Sequence, residues 1–341
     1  MRQGHMTSKT HHTEVVRATR SSRIAMTLCL ALLLALIAMP WWASSGNIRW
    51  AIELSCYIAI AQMWNLLAGY AGLVSVGQQA FIGVSGYLLF VLAQNFGVNP
   101  FVAVLLSLIA PAILAVPTYL LLRRLDGPYF AIGTWVVAEA VRLATSNIDY
   151  VNAGAGLTLR VMTQYSQHER EVGFVLLCAL LLLTTIGGSY WLLRSRIGLA
   201  LTAMRDNPVA AASQGVNVGR LRFYIFIAAA VGTGFAGAIY YMAQLRITPS
   251  AGFDPFWGSM SIFIVMVGGI GAIEGVLIGA LIYFLADRLF GEFGSAYLIV
   301  LGLLTLVIAL YARGGVWGLL QKWGDHAWFP VRRKLIVEEN P

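Results

Sequence analysis

Apolar runs of about span length, one after another with hardly a charge inside them, constrain this chain more than any other feature. Residues 24–43 form the first, and 101–122, 172–193 and 223–245 repeat it. Each is close to the ~20 residues that cross a ~30 Å hydrocarbon core. Lipid offers the backbone no hydrogen-bond partner, so segments of this length must close their own bonds as helices. Only 11% of residues are charged and 59% are hydrophobic, against roughly 25% charged in a soluble domain. No large soluble domain fits in what remains, and the predicted fold class is an all-α polytopic integral membrane protein. The net charge of +8 is no nucleic-acid signal, because the basic residues gather at the ends of spans.

Those basic residues assign the sides. Residues 1–23 form a basic tail, 194–222 a loop with five arginines, and 312–341 a second basic tail. Together with Arg123 and Arg124 they hold 17 of the 23 Lys and Arg, which marks them as cytosolic. The first run exceeds the ~7–15 apolar residues of a signal peptide, so it is read as an uncleaved helix with its N-terminus inside. Counting onward predicts about ten transmembrane helices within 24–311, with both termini cytosolic. Their intervals are 24–43, 49–68, a helix ending near Phe96, 101–122, 129–146, 172–193, 223–245, 256–270, 272–290 and 295–311. Eight spans with re-entrant pieces is the alternative count. Residues 256–270 reach only about 22 Å at 1.5 Å per residue: a half-span, or one that begins earlier.

Residues 69–87 have another texture. Glycines 69, 72, 77, 83 and 86 alternate with Ser75, Gln78, Gln79 and Ser85. Irregular backbone at membrane depth is tolerated only inside protein or beside a water-filled cavity. A broken or re-entrant segment is expected, with Asn65, Gly69, Gly72, Ser75, Gly77 and Gln78 as candidate pathway residues. Close helix packing, which also favours small residues, is the competing reading. Gly271, Gly275 and Gly279 form a second small-residue stripe.

Within the loop 194–222 a short helix is spelled out. Asp206 or Asn207 suits the N-cap, Pro208 the first turn, Ala210 to Ala212 the body, and Gly215 the left-handed residue that ends it. It carries little apolar bulk, which leaves the small face of Ala211 and Gly215 for a partner. Asp206 would favour its N-terminus, and Arg205 would be free for an acidic surface. A docking knob and a plain solvated connector both fit these residues.

Charges within spans are few. Glu139 and Arg142, three apart on one helix, can meet and are expected to form an internal structural ion pair. Asp287 and Arg288 sit near a helix end, where they can snorkel. Glu53 has Arg49 one turn before it, and Glu274 is expected to be wet. Cys29, Cys56 and Cys178 lie in apolar runs without metal or redox spacing. His5, His11 and His12 belong to the polar tail, where a metal role is the lesser reading. There is no GxxxxGK[ST], HExxH or GxSxG, so no metal, ATP or nucleophile site is read in this chain.

Several stretches in order resemble the LivM-type permeases of branched-chain amino-acid ABC transporters. They are NLLAGYAGLVSVGQQAFIGVSGY (65–87), LDGPYFAIGTWVVAEAVR (125–142), NAGAGL (152–157), SRIGLALTAMRDNPVAAASQGVNVGRLR (195–222), the stretch from Phe226 to Gly237, and MVGGIGAIEGVLIGA (266–280). The resemblance covers about residues 50–320. It implies an importer subunit of the bacterial inner membrane, paired with a LivH-like second permease, two cytosolic ATPase subunits and a periplasmic substrate-binding protein. ATP would be bound by the partner subunits, and the helix at Arg205, Asp206, Asn207, Pro208, Ala211 and Gly215 would be the coupling helix. The family usually carries a proline after the arginine of its C-terminal motif, where this chain has Gly314 after Arg313. Branched-chain or other hydrophobic amino acids are the implied cargo, with urea, short amides or aromatic acids as alternatives. An ion-coupled secondary transporter is the rival class, with Glu139 its one candidate carboxylate.

Overall fold

The computed structural model describes residues 12–16, 20–312, 314–323, 328–329 and 334–338. His5, His11, Arg17, Arg313, Arg332 and Arg333 therefore lie outside the described residues. Strand β1 (His12–Val16) pairs antiparallel with β4 (Lys334–Glu338), His12 opposite Glu338, so the two tails meet on one side of the molecule. Among the described residues between them, the regular elements are helices, apart from a two-residue ladder of β2 (Leu157–Thr158) on β3 (Arg246–Ile247).

Helices stand in every interval where an apolar run predicts one. They are α1 (Arg20–Ala38), α2 (Ser45–Asn65), α3 (Gln78–Gln94), α4 (Pro100–Ser107) with α5 (Ile109–Leu122), and α6 (Pro128–Ser146). There follow α7 (Gln167–Leu182) with α8 (Gly188–Arg194), the loop helices α9 (Arg196–Asp206) and α10 (Pro208–Ser213), and α11 (Val218–Gln244). Then come α12 (Pro249–Gly252), α13 (Phe256–Gly268), α14 (Ile273–Phe290), α15 (Ser295–Tyr311) and α16 (Gly315–Trp323). Among the described residues, six segments are long and apolar enough to cross a membrane, and a bent α15–α16 pair makes up to seven. The expectation of about ten is larger because it counts three further helices. Of these, α3 has 17 residues, α6 is interrupted by Glu139 and Arg142, and α14 carries Glu274, Asp287 and Arg288. The short interval at 256–270 does begin earlier. Thr248 caps α12 by accepting from the Ala251 amide, and 249–268 together reach span length.

The 27-residue α11 is the axis, packing along α3, α2 and α5. Two cores lie along it. The larger joins α2, α3, α7, α13 and α14. The smaller, at the arginine-rich end, joins Tyr119, Phe130, Ile225 and Phe226 to Leu201, Met204 and Ala211 of the loop helices. The loop is thus seated on the membrane bundle by core packing, contrary to the expectation that its small residues leave it unanchored. Burial of Leu201 and Met204, three apart on α9, accounts for this second loop helix.

α13 and α14 touch backbone to backbone. A Cβ on Gly268 would strike the Gly275 carbonyl, and one on Gly279 the Ile264 carbonyl. The glycine stripe is therefore consumed within this chain.

Candidate functional site

Where α2 ends, its last turn widens into a single π turn, Leu66–Tyr70, and the chain then runs irregularly from 71 to 77 before α3 starts. Asn65, fully buried, stands at the head of this break. Its Nδ2 donates to the Ala272 carbonyl at 3.1 Å, and its Oδ1 accepts from the Gly271 amide at 2.8 Å. One side chain so ties the end of α2 to the turn between α13 and α14. Gly69 must lack a Cβ, because one would lie 2.7 Å from the Gly271 nitrogen. Gly271, at φ 75°, is held in the left-handed region.

Arg205, at the end of α9, reaches the same place. Its Nη1 donates to the Gly69 carbonyl at 3.1 Å while its Nε donates to Asp206 Oδ1 at 3.1 Å. The guanidinium therefore points into the bundle and is not free for an acidic partner. It joins two groups of residues that the sequence separates: the pathway candidates Asn65 and Gly69, and the coupling candidates Arg205 and Asp206.

Backbone bonds from the Ala71 and Leu73 amides to the Leu67 carbonyl close the first half of the break, and side chains hold the second. Trp64 Nε1 donates to the Ser75 carbonyl at 2.7 Å, the Val76 amide donates to Thr134 Oγ1 at 3.1 Å, and the Gly77 amide donates to Ser75 Oγ at 3.3 Å. Gly77 abuts the Thr134 carbonyl of α6, so close packing explains its missing side chain. Gly72, at φ 67°, is exposed and has open space beside it. Gln78 Oε1 accepts from Thr233 Oγ1 of α11 at 3.1 Å. Beyond that bond, Gln78 Nε2, Gln79 Oε1 and both amide atoms of Gln62 are buried without a hydrogen-bond partner. Buried polar groups are nearly always paired, so four such atoms around one break set it apart. Gln62 and Thr233 were not among the expected residues. The glutamine could have been noticed as the one polar residue in the run 58–64.

α10 has the predicted cap. Asn207 Oδ1 accepts from the Val209 and Ala210 amides at 3.1 and 3.0 Å, Pro208 occupies the first turn, and Gly215 at φ 88° follows the end. Its outward face is Val209, Ala212 and Ser213, with Val209 79% exposed. Ala211 faces inward at 3% exposure.

The charged groups also settle. Arg142 Nε donates to Glu139 Oε2 at 2.9 Å, but the side chains stay 31% and 39% exposed, so the pair sits on the surface of α6 and is not internal. Glu53 pairs with Arg288, not Arg49, and accepts from the Tyr57 hydroxyl at 2.8 Å. Arg288 in turn lies over the Trp50 and Phe284 rings. Glu274 is buried rather than wet and accepts from the Phe329 amide at 2.8 Å.

Comparison with known proteins matches residues 47–309 to the family described as "Branched-chain amino acid transport system / permease component". Over 317 residues the chain is 25% identical to the high-affinity branched-chain amino acid transport system permease protein LivM of Salmonella typhimurium, covering 84% of this chain and 73% of the relative. LivM of Escherichia coli aligns with the same identity and coverage. A probable branched-chain amino acid transport permease protein LivH of Methanocaldococcus jannaschii is 27% identical over 275 residues, covering 72% of this chain and 84% of that one.

Proposed function

The chain belongs to the family of branched-chain amino acid transport permease components, and we propose on that premise that it is one half of a permease driven by separate ATPases. A LivH-like chain supplies the other half, a periplasmic protein delivers branched-chain or other hydrophobic amino acids, and the basic face with both tails is cytosolic. The outward face of α10 docks on an ATPase. Its partly apolar surface, led by Val209 on a basic loop, suits a protein groove better than a lipid surface.

One observation carries the mechanism: the hydrogen bond from Arg205 to the Gly69 carbonyl. When ATPase closure displaces α10, α9 moves with it, since both are packed on the same core. Arg205 then pulls on the π turn that ends α2. Asn65 passes the movement to the turn between α13 and α14. The segment 71–77 lies directly beyond, flanked by the unpaired amides of Gln62 on α2 and of Gln78 and Gln79 on α3, and that is where solute crosses. Arg205 acts here as a positioning residue, because it links two moving parts and touches no solute.

Reconstitution of the complete transporter in proteoliposomes tests this. Arg205→Gln should keep its ATPases and still hydrolyse ATP, yet lose about tenfold in uptake, equivalent to ~1.4 kcal/mol of coupling. Arg205→Lys, with one donor able to reach the carbonyl, should recover part of it. Wild-type uptake per ATP in Arg205→Gln would remove this link from the mechanism.

A further inference from the structure

Where α5 ends and α11 begins, a cavity of about 400 Å³ opens at the arginine-rich face. Tyr119 and Phe223 wall it with rings 5.5 Å apart between centroids. The first turn of α11 forms its floor, and Arg123, Arg220 and Arg222 line it. The Tyr119 hydroxyl donates to the Gly219 carbonyl at 3.0 Å, which fixes the two helix ends against each other.

Positive charge here is poorly answered. Among the described residues, the carboxylate that pairs with Arg222 is that of Asp126, at 3.8 Å, and that side chain is 90% exposed. An exposed pair at this distance contributes little. The Arg222 side chain is itself only 20% exposed, and its Nε is buried without a hydrogen-bond partner. The positive end of the α11 dipole adds to the three guanidiniums. Beside the charges the walls are apolar, through Phe223 and the half-exposed Leu120. Cations beside aromatic and aliphatic walls, at the ends of two spans, match the division of a phospholipid into headgroup and chain.

We propose that this cavity binds the phosphate headgroup of an anionic phospholipid, with Arg123, Arg220 and Arg222 on the phosphate and the acyl chain descending past Leu120. Arginine suits the role because its planar fork meets phosphate oxygens two at a time. The site adjoins the loop that carries α10, so an occupied headgroup pocket would brace the start of α11 beneath the docking helix. It requires nothing about which solute the permease carries.

The test uses the assembled transporter in detergent, with thermal unfolding followed on adding dioleoyl phosphatidylglycerol, dioleoyl phosphatidylcholine or inorganic phosphate. The phosphatidylglycerol should raise the unfolding midpoint well beyond phosphatidylcholine. The double variant Arg123→Gln/Arg222→Gln should lose at least half of that difference. Arg194→Gln/Arg196→Gln, which removes the same charge away from the cavity, should keep it. Native mass spectrometry should show one phosphatidylglycerol fewer per chain in the first variant alone. Equal shifts in both double variants would overturn the proposal, since any basic surface would then serve. So would a shift from inorganic phosphate as large as that from the lipid, which would mean a free-anion site. Loss of ATPase subunits from Arg123→Gln/Arg222→Gln with the lipid shift intact would overturn it too, by assigning the pocket to an acidic protein surface. Should that variant fail to assemble, Arg220→Gln alone, an exposed side chain, is read by the same criteria.

Discussion

Two glycine-rich breaks in the bundle, α2 to α3 and α13 to α14, are built on different plans. Between α2 and α3 the chain runs irregularly for seven residues, Gly72 has open space beside it, and side chains hold the stretch from Ser75 to Gly77. Four buried amide atoms nearby have no partner. Between α13 and α14 the turn is short, and its glycines are spent on contact. Gly268, Gly275 and Gly279 bring two backbones together, while Gly269 at φ 135° lies against the Gly314 carbonyl. The second break is a locked corner. The first is a loosely satisfied seam held at its head by Asn65. Close contact is used in the first break as well, at Gly69 and Gly77, but Gly72 there has open space and polar neighbours, which the bare stripe of the second lacks.

The largest effect should come from the corner. Gly279→Leu forces a side chain into the Ile264 carbonyl and the Gly268 Cα, where nothing flexible can give way. The cost should exceed the ~1–3 kcal/mol of ordinary overpacking. Expression with a fluorescent tag should show loss of the monodisperse complex on extraction from membranes. Gly72→Leu, next to open space, should remain monodisperse. If both variants behave alike, the contrast between corner and seam fails.

A middle effect is expected where the breaks are joined. Asn65→Leu removes both bonds to the corner and strands the half-buried Gly271 amide, at up to about 1–3 kcal/mol for the unsatisfied group. The protein should still assemble but unfold at a lower temperature, and uptake per ATP should fall. An unchanged midpoint would show that the corner needs no support from the seam.

Local signals made part of this legible in sequence. The α10 cap was readable because Asn207, Pro208 and Gly215 act on their immediate neighbours. Helix intervals followed from apolar runs, and the texture of 69–87 announced a break. The knot was not legible, because Arg205 meets Gly69 across 136 positions and Asn65 meets Gly271 across 206. No periodicity encodes such a meeting. Ala211 was misread for a related reason: its outward or inward direction is set by the core around Phe226, not by the helix it sits on. Glu53 likewise had a basic residue one turn away, yet tertiary packing brought Arg288 to it instead.

The smallest change in stability, and the most informative, should come from Gln62→Leu. This side chain is fully buried, one turn before Asn65, and neither of its amide atoms has a hydrogen-bond partner. Replacing an unpaired buried amide by an apolar group of similar size removes a desolvation penalty and breaks no bond, so stability should be unchanged or slightly higher. If the seam is where solute crosses, however, those polar atoms serve the moving state, and their loss should appear in uptake alone. The expected pattern is an unfolding midpoint at or above wild type, retained ATPases, and uptake down several-fold. A midpoint lowered as far as in Asn65→Leu would mean that Gln62 is bonded in the resting protein, and the seam would then be as locked as the corner. Normal uptake with a normal midpoint would move the crossing point away from Gln62 and leave Gln78 and Gln79 to carry it. The stability reading and the transport reading are independent, so a single variant separates packing from passage at the one place where the two explanations of a glycine-rich break compete.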